Sequence, residues 1–200
     1  MNKLLNDPRS LSILAIMLAL TVILALTPLG FIPLIIVNAT IIHIPTIITA
    51  IILGPIAGLF MGTIMGLLSL LNAVTRPTGL LSPLFINPLV SVLPRMFIGV
   101  VAYYTYVGMK KLIRKEKYQE SISAIVSGVI GSLTNTALVF LMLYVVYAKE
   151  ITEMIAENLG ISLRAFYISV FTTNAIAEAV VAAFVTGAIV LAYKNYNKIK

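Results

Sequence analysis

The sequence has no cysteine, no tryptophan and a single histidine, and charge is scarce: only 10% of its 200 residues are Asp, Glu, Lys or Arg. A soluble domain carries roughly 25% charged residues, because that many are needed to coat a water-facing surface. The shortage excludes a soluble enzyme, including one with a membrane anchor, and any long disordered tail. The missing cysteines exclude a disulfide scaffold, a thiolate metal site and thiol catalysis, and one histidine is too few for a His-rich site. No Gly-Lys pair occurs, so the phosphate loop GxxxxGK[ST] is absent and this chain does not hydrolyse ATP by that route. Neither a second histidine nor a GxSG element is present for an intramembrane serine protease. The expectation is therefore no enzyme, no cofactor and no metal.

What is abundant is hydrophobicity, at 60% of the chain. Six apolar runs, at residues 10–28, 32–53, 55–72, 86–108, 121–148 and 164–193, account for most of the length. A bilayer crossing takes about 20 such residues. The sequence predicts an all-α polytopic membrane protein: one domain over residues 1–200, a bundle of six transmembrane helices with a long outer loop after the first. The formal charge of +7 is a topology signal. Ten of the fourteen Lys and Arg residues precede the first run, separate the fourth from the fifth, or follow the sixth. Arg76, Lys149 and Arg164 lie in the opposite loops, the last two beside Glu150, Glu153 and Glu157. By the positive-inside rule both termini are cytoplasmic, and the basic residues need no nucleic-acid partner. Tyr103, Tyr104, Tyr106, Tyr193 and Tyr196 mark one headgroup layer and Tyr144, Tyr147 and Tyr167 the other. The first run has no small-residue cleavage site after it and is expected to be a retained helix.

All nine prolines and eight of the twelve glycines precede residue 109. The first half should be bent and closely packed, the second regular. Pro33 and Pro45, with Asn38, Thr40 and His43, interrupt the second run, which predicts an outer segment from about Thr27 to His43 folded over the protein. A short helix from about Ile44 to Leu53 follows, then a tight inner turn at Gly54-Pro55. Residues 73–88 form a second outer loop, and either loop can cap a site. Gly54, Gly58, Gly62 and Gly66 line one face of the third helix for close intramolecular packing. Ala15 and Ala19 form an AxxxA pair in the first helix, by itself a weak partner signal.

Polar groups inside spans carry the functional signal, because each costs free energy unless paired or facing water. Only Arg95 and Glu178 place charge well inside, joined by the amides of Asn72, Asn135 and Asn174. At about 1.5 Å per residue, Arg95 stands roughly 22 Å above Lys110, Asn135 roughly 21 Å above Ser121, and Asn174 roughly 15 Å below Arg164. These heights converge in the outer half of the membrane, and Asn174 and Glu178, four apart, share a face. One reading is an Arg95 to Glu178 ion pair that only locks helices. The other is an outward-open pocket in which Arg95 forks onto a substrate carboxylate, the asparagines bind neutral polar groups, and Glu178 orients Arg95 or accepts from hydroxyls. His43 either satisfies a loop carbonyl or joins that pocket.

The run Thr27-Pro-Leu-Gly-Phe-Ile-Pro33, with Ala39-Thr-Ile-Ile-His-Ile-Pro45 and Leu53-Gly-Pro55, resembles the substrate-binding S components of energy-coupling factor (ECF) vitamin transporters, most closely the pantothenate type. Pro94-Arg95, Ile98-Gly99, Leu133-Thr-Asn-Thr136, Asn174 and Ala177-Glu178 extend the resemblance over nearly the whole chain. It implies a multi-pass protein of a bacterial plasma membrane that captures a small-molecule vitamin beneath its first outer loop. A transmembrane coupling protein and two cytoplasmic ABC-type ATPases would drive release. It also implies that Ala15 and Ala19 meet the coupling protein. The alternatives are an S component for another carboxylated vitamin such as folate, a proton-coupled secondary carrier using Glu178, and a structural subunit.

Overall fold

In a computed structural model, which describes residues 7–32, 39–77 and 81–199, the chain is a bundle of helices. Helix α1, Pro8–Leu26, starts where Asp7 caps the backbone N–H groups of Arg9 and Ser10 and Pro8 takes the first turn. A 3₁₀ turn, Pro28–Gly30, leads into β1, Phe31–Ile32, which pairs antiparallel with β2, Ala39–Thr40. Helix α2 is Ile44–Leu53, the span expected from sequence. The outer segment from Thr27 to His43 is non-helical apart from the 3₁₀ turn where it is described, and Pro33 to Asn38 lie outside the described residues.

Gly54, at φ 100°, caps α2 and starts α3, Pro55–Thr75. Only glycine takes that backbone cheaply, so the Gly54-Pro55 turn is built into the sequence. After a loop come a 3₁₀ helix, Ser82–Ile86, then α4, Pro88–Ser91, and α5, Leu93–Leu112. Helix α6 runs from Glu116 to Leu159, and α7, Leu163–Val170, continues through a π-turn, Phe171–Ala175, into α8, Ile176–Ile199. Among the described residues, five helical stretches are long and apolar enough to cross a membrane, and α2 is a shorter apolar helix. The protein is a multi-pass helical membrane protein.

Helix α2 is the hub. Eight of its ten residues are buried, with Ile47 and Ile48 in the interior. The glycine face of α3 packs on α5: a Cβ on Gly62 would lie 2.2 Å from the Arg95 carbonyl oxygen, and one on Gly66 2.6 Å from the Val92 Cα. Gly58 and Gly99 meet backbone to backbone, a Cβ on Gly99 lying 2.6 Å from the Gly58 Cα. These contacts bring α3 and α5 together at the distance that small-residue packing allows. Outside, Ile16, Leu20, Leu67, Leu71, Phe97, Leu141, Val180 and Phe184 are exposed, the surface expected of a chain solvated by lipid.

The second half is less regular than its lack of proline suggests. Helix α6 does not stop near residue 148; it bends at Tyr147, whose φ of −133° and ψ of 27° are non-helical, and continues to Gly160 in the left-handed conformation. Beyond the bend, Ile151 and Ile155 are fully buried in a cluster with Leu81, Leu84, Val139, Leu143 and Phe166. The Asn87 amide donates to the Tyr147 hydroxyl at 3.2 Å, tying the 82–91 segment to the bend. A second cap over that end of the bundle is thus made by helix as well as loop.

Candidate functional site

Arg95 enters the bundle at the first turn of α5, behind Pro94 at an N-terminal helix position where proline is tolerated. The residue is only 7% exposed. The Nη1 group donates to the Val90 carbonyl at 2.5 Å, the ring of Phe85 lies 5.0 Å from the guanidinium carbon, and Nε–H is buried with no partner. A cation so placed is fixed in position by α4 and the 3₁₀ turn while part of its donor fork stays unused.

Glu178, 5% exposed, sits in the first turn of α8. Its Oε1 accepts the backbone N–H of Thr40 at 2.7 Å and its Oε2 accepts the Thr136 hydroxyl at 3.3 Å. One carboxylate therefore ties the strand that ends the outer segment to α6 and α8. Arg95 and Glu178 are near enough to interact electrostatically. They do not form the direct ion pair that a purely helix-locking reading requires: among the described residues, the one salt bridge within 4.0 Å joins Lys110 to Glu120 near the opposite ends of the helices. Each charge has found neutral partners, because the short α4 turn supplies a carbonyl to Arg95 and β2 supplies an N–H to Glu178.

Asn135, on α6 beside Thr136, is buried with Oδ1 unpaired. Asn174 is buried within the π-turn, an arrangement frequent at functional sites because it offsets the helix register locally. Its Oδ1 accepts the Thr173 hydroxyl at 3.0 Å. His43 is fully buried at the N-cap of α2, and neither ring nitrogen has a partner. Asn72 stands near the end of α3, where its amide donates to the Ala25 carbonyl at 2.7 Å while Oδ1 is unpaired. Ala15 and Ala19 lie on the exposed surface of α1.

Several further buried hydroxyls are not evident from the sequence, Thr46 on α2 and Ser132 on α6 among them. Thr46 Oγ1 and Ser132 Oγ have no partner, whereas Thr49 donates to the Pro45 carbonyl and Ser127 to the Ser123 carbonyl, both at 2.7 Å. Thr46 follows His43 by three residues on α2, and Ser132 precedes Asn135 by three on α6, so each pair lies on one helix face. The two helices touch there, a Cβ on Gly131 falling 2.7 Å from the Ile47 Cδ1. Buried polar atoms are nearly always satisfied. A group of them left open within one bundle is a place where a polar molecule finds partners ready.

Comparison with known proteins agrees with this architecture. The family model for the substrate-specific component of ECF transporters matches residues 9–190. The pantothenic acid transporter PanT of Lactococcus lactis subsp. cremoris is 28% identical over 168 residues, 77% of this chain and 76% of that protein. The pantothenate transporter PanT of Leuconostoc mesenteroides subsp. mesenteroides is 30% identical over 196 residues, 94% of this chain and 90% of that protein. With the match reaching every long apolar helix and spanning the buried polar set between them, the chain belongs to the family of substrate-specific components of ECF transporters.

Proposed function

We propose that the protein is the vitamin-binding S subunit of an ECF-type ABC transporter and that its vitamin is pantothenate. The observation that carries the reading is Arg95, a buried cation with an unused N–H, in a bundle whose other unpaired buried groups, among the described residues, are hydroxyls, amide oxygens and the His43 imidazole. Pantothenate has one carboxylate, an amide and two hydroxyls. A pocket with one cation and several neutral donors and acceptors complements it, since few and well-placed polar groups fix a ligand's orientation. The two PanT relatives carry the same substrate in their names.

In this reading Arg95 takes the carboxylate in bidentate fashion. Asn135, Asn174 and His43 bind the amide and hydroxyls, with Asn72 at the rim. Glu178 accepts from a hydroxyl or holds the outer segment shut through Thr40. Helix α2 counts as a sixth, short crossing, so that both termini lie in the cytoplasm, in accord with the ten basic residues that share one side. A coupling protein docks on α1 at Ala15 and Ala19, and two partner ATPases supply the energy.

The test is calorimetric titration of the purified protein with water-soluble vitamins that carry carboxylates, pantothenate and folate among them, without metal or ATP. Saturable pantothenate binding is expected. Folate binding instead would reassign the substrate, and uptake by the protein alone in liposomes under a pH gradient would replace this reading with a proton-coupled carrier.

A further inference from the structure

A groove of about 330 Å³ runs along the outside of the bundle between α6 and the π-turn, lined by Ala137, Phe140, Tyr167, Ile168, Phe171 and Thr172. Almost none of its lining is polar: the Thr172 hydroxyl is used internally, donating to the Ile168 carbonyl at 2.8 Å. One wall is fixed by the edge-to-face stacking of Phe140 on Tyr167, with ring centroids 5.1 Å apart. Ala137, Ile168, Phe171 and Thr172 are exposed, so the groove opens on the surface that meets lipid. The π-turn presents Phe171 and Thr172 on this exposed side while Asn174 stays buried.

The rim is charged. Arg164 is exposed at the start of α7, one turn before Ile168 and on the same helix face, and has no hydrogen bond or ion pair among the described residues. Tyr144, also exposed, marks this level as the headgroup layer. An apolar channel that begins one turn beneath a free cation has the layout of an anionic glycerophospholipid, with its phosphate at the cation and one acyl chain below.

We propose that this groove is a binding site for one anionic phospholipid, held by its headgroup at Arg164 and by an acyl chain along Ala137, Phe140, Ile168 and Phe171. The chain lies against the π-turn and supports from outside the backbone that carries Asn174 and leads to Glu178. Lipid therefore shapes the polar interior without entering it. The proposal rests on the groove and its membrane setting, and stands whichever vitamin is bound.

The experiment is native mass spectrometry of the purified full chain, loaded with phosphatidylglycerol or with phosphatidylcholine of identical acyl chains. Wild type should retain one phosphatidylglycerol in preference to phosphatidylcholine by about fivefold, the ratio set by one basic residue beside an anionic headgroup. Arg164→Gln should abolish the preference. Ala137→Phe, which fills the groove from an exposed position, should release the lipid, and Ile168→Trp provides a second filling variant if the first fails to yield monodisperse protein. Equal retention of both lipids by wild type, or undiminished phosphatidylglycerol retention by a folded filling variant, overturns the proposal, as does a dimer of this chain occupying the groove in place of lipid.

Discussion

The carboxylate of Glu178 accepts the backbone N–H of Thr40 at 2.7 Å across 138 residues of sequence, so a buried group at the start of the last helix holds the end of the outer segment. The same side chain takes the Thr136 hydroxyl through its other oxygen. Replacing Glu178 by alanine strands the Thr40 N–H, and an unsatisfied buried donor costs about 1–3 kcal/mol. Glu178→Ala should therefore lower the thermal midpoint of the detergent-solubilised protein and raise the ligand's dissociation rate. Glu178→Gln keeps an acceptor for Thr40 and should lose much less of both. Proton-coupled chemistry at Glu178 predicts no such difference for transport, with Gln as damaging as Ala, and a pH-gradient uptake assay separates the two.

Arg95 is held by Val90 and Phe85 rather than by an acid, which leaves its charge available. Arg95→Ala should weaken pantothenate binding by at least about 2 kcal/mol, roughly thirtyfold, the scale for stranding one partner of a buried charged pair. Arg95→Lys should rescue little, since an ammonium cannot reproduce the planar fork. Titration calorimetry reads both, and unchanged affinity in Arg95→Ala removes it from the site.

Unpaired hydroxyls give the opposite sign in stability and binding. Thr46 Oγ1 is buried without a partner, so Thr46→Val removes an unmet group while keeping the side chain's shape. The ligand-free protein should be as stable as wild type or more so, and ligand affinity should fall about tenfold, the cost of one lost hydrogen bond of about 1.4 kcal/mol. A variant that loses stability and keeps affinity would show Thr46 to be a packing residue.

How much of this was legible in the sequence depends on whether the signal was local. Helix α2 was, because Pro45 near its start and Gly54-Pro55 at its end punctuate it. Arg95 and Glu178 were, because intramembrane charge is rare. Their partners were not: Val90 and Thr40 act through backbone groups that every residue possesses. The extension of α6 to Leu159 was hidden by the polar character of residues 149–159, although Ile151 and Ile155, four apart on one face, were its trace. The π-turn has no proline or glycine to announce it. Thr46 and Ser132 look like any membrane hydroxyl, which usually donates to a carbonyl four residues back as Thr49 does, and only the fold reveals which hydroxyls stay unpaired.

Gly62 connects packing to the site. A Cβ there would fall 2.2 Å from the Arg95 carbonyl oxygen, so Gly62→Ala must push α5 away from α3. Overpacking of this kind costs about 1–3 kcal/mol, and the displacement carries Arg95 with it. The expected result is a lower thermal midpoint together with weaker ligand binding. Gly108→Ala, where a Cβ meets nothing within 4 Å, is the matched control and should change neither. Equal behaviour of the two variants would mean that α5 absorbs the methyl without moving Arg95.

Helix α1 is the least enclosed of the long helices, with only Thr21 and Ala25 buried. It is anchored near its ends: the Arg9 guanidinium bonds the Asn197 side chain and lies over the Tyr193 ring at 5.5 Å, while Asn72 and Arg76 bond the carbonyls of Ala25 and Leu26. Ala15 and Ala19, between these anchors, leave a shallow exposed strip where another helix can come close. Tryptophan at either position removes that close approach without touching the buried polar set. Ala15→Trp or Ala19→Trp should therefore bind pantothenate with wild-type affinity when purified, yet abolish its uptake in cells supplying the coupling protein and ATPases. Glycine at both positions preserves the close approach and should transport. Uptake that survives the tryptophan variants moves the partner surface off this strip, and loss of binding in them would show that the strip supports the pocket instead.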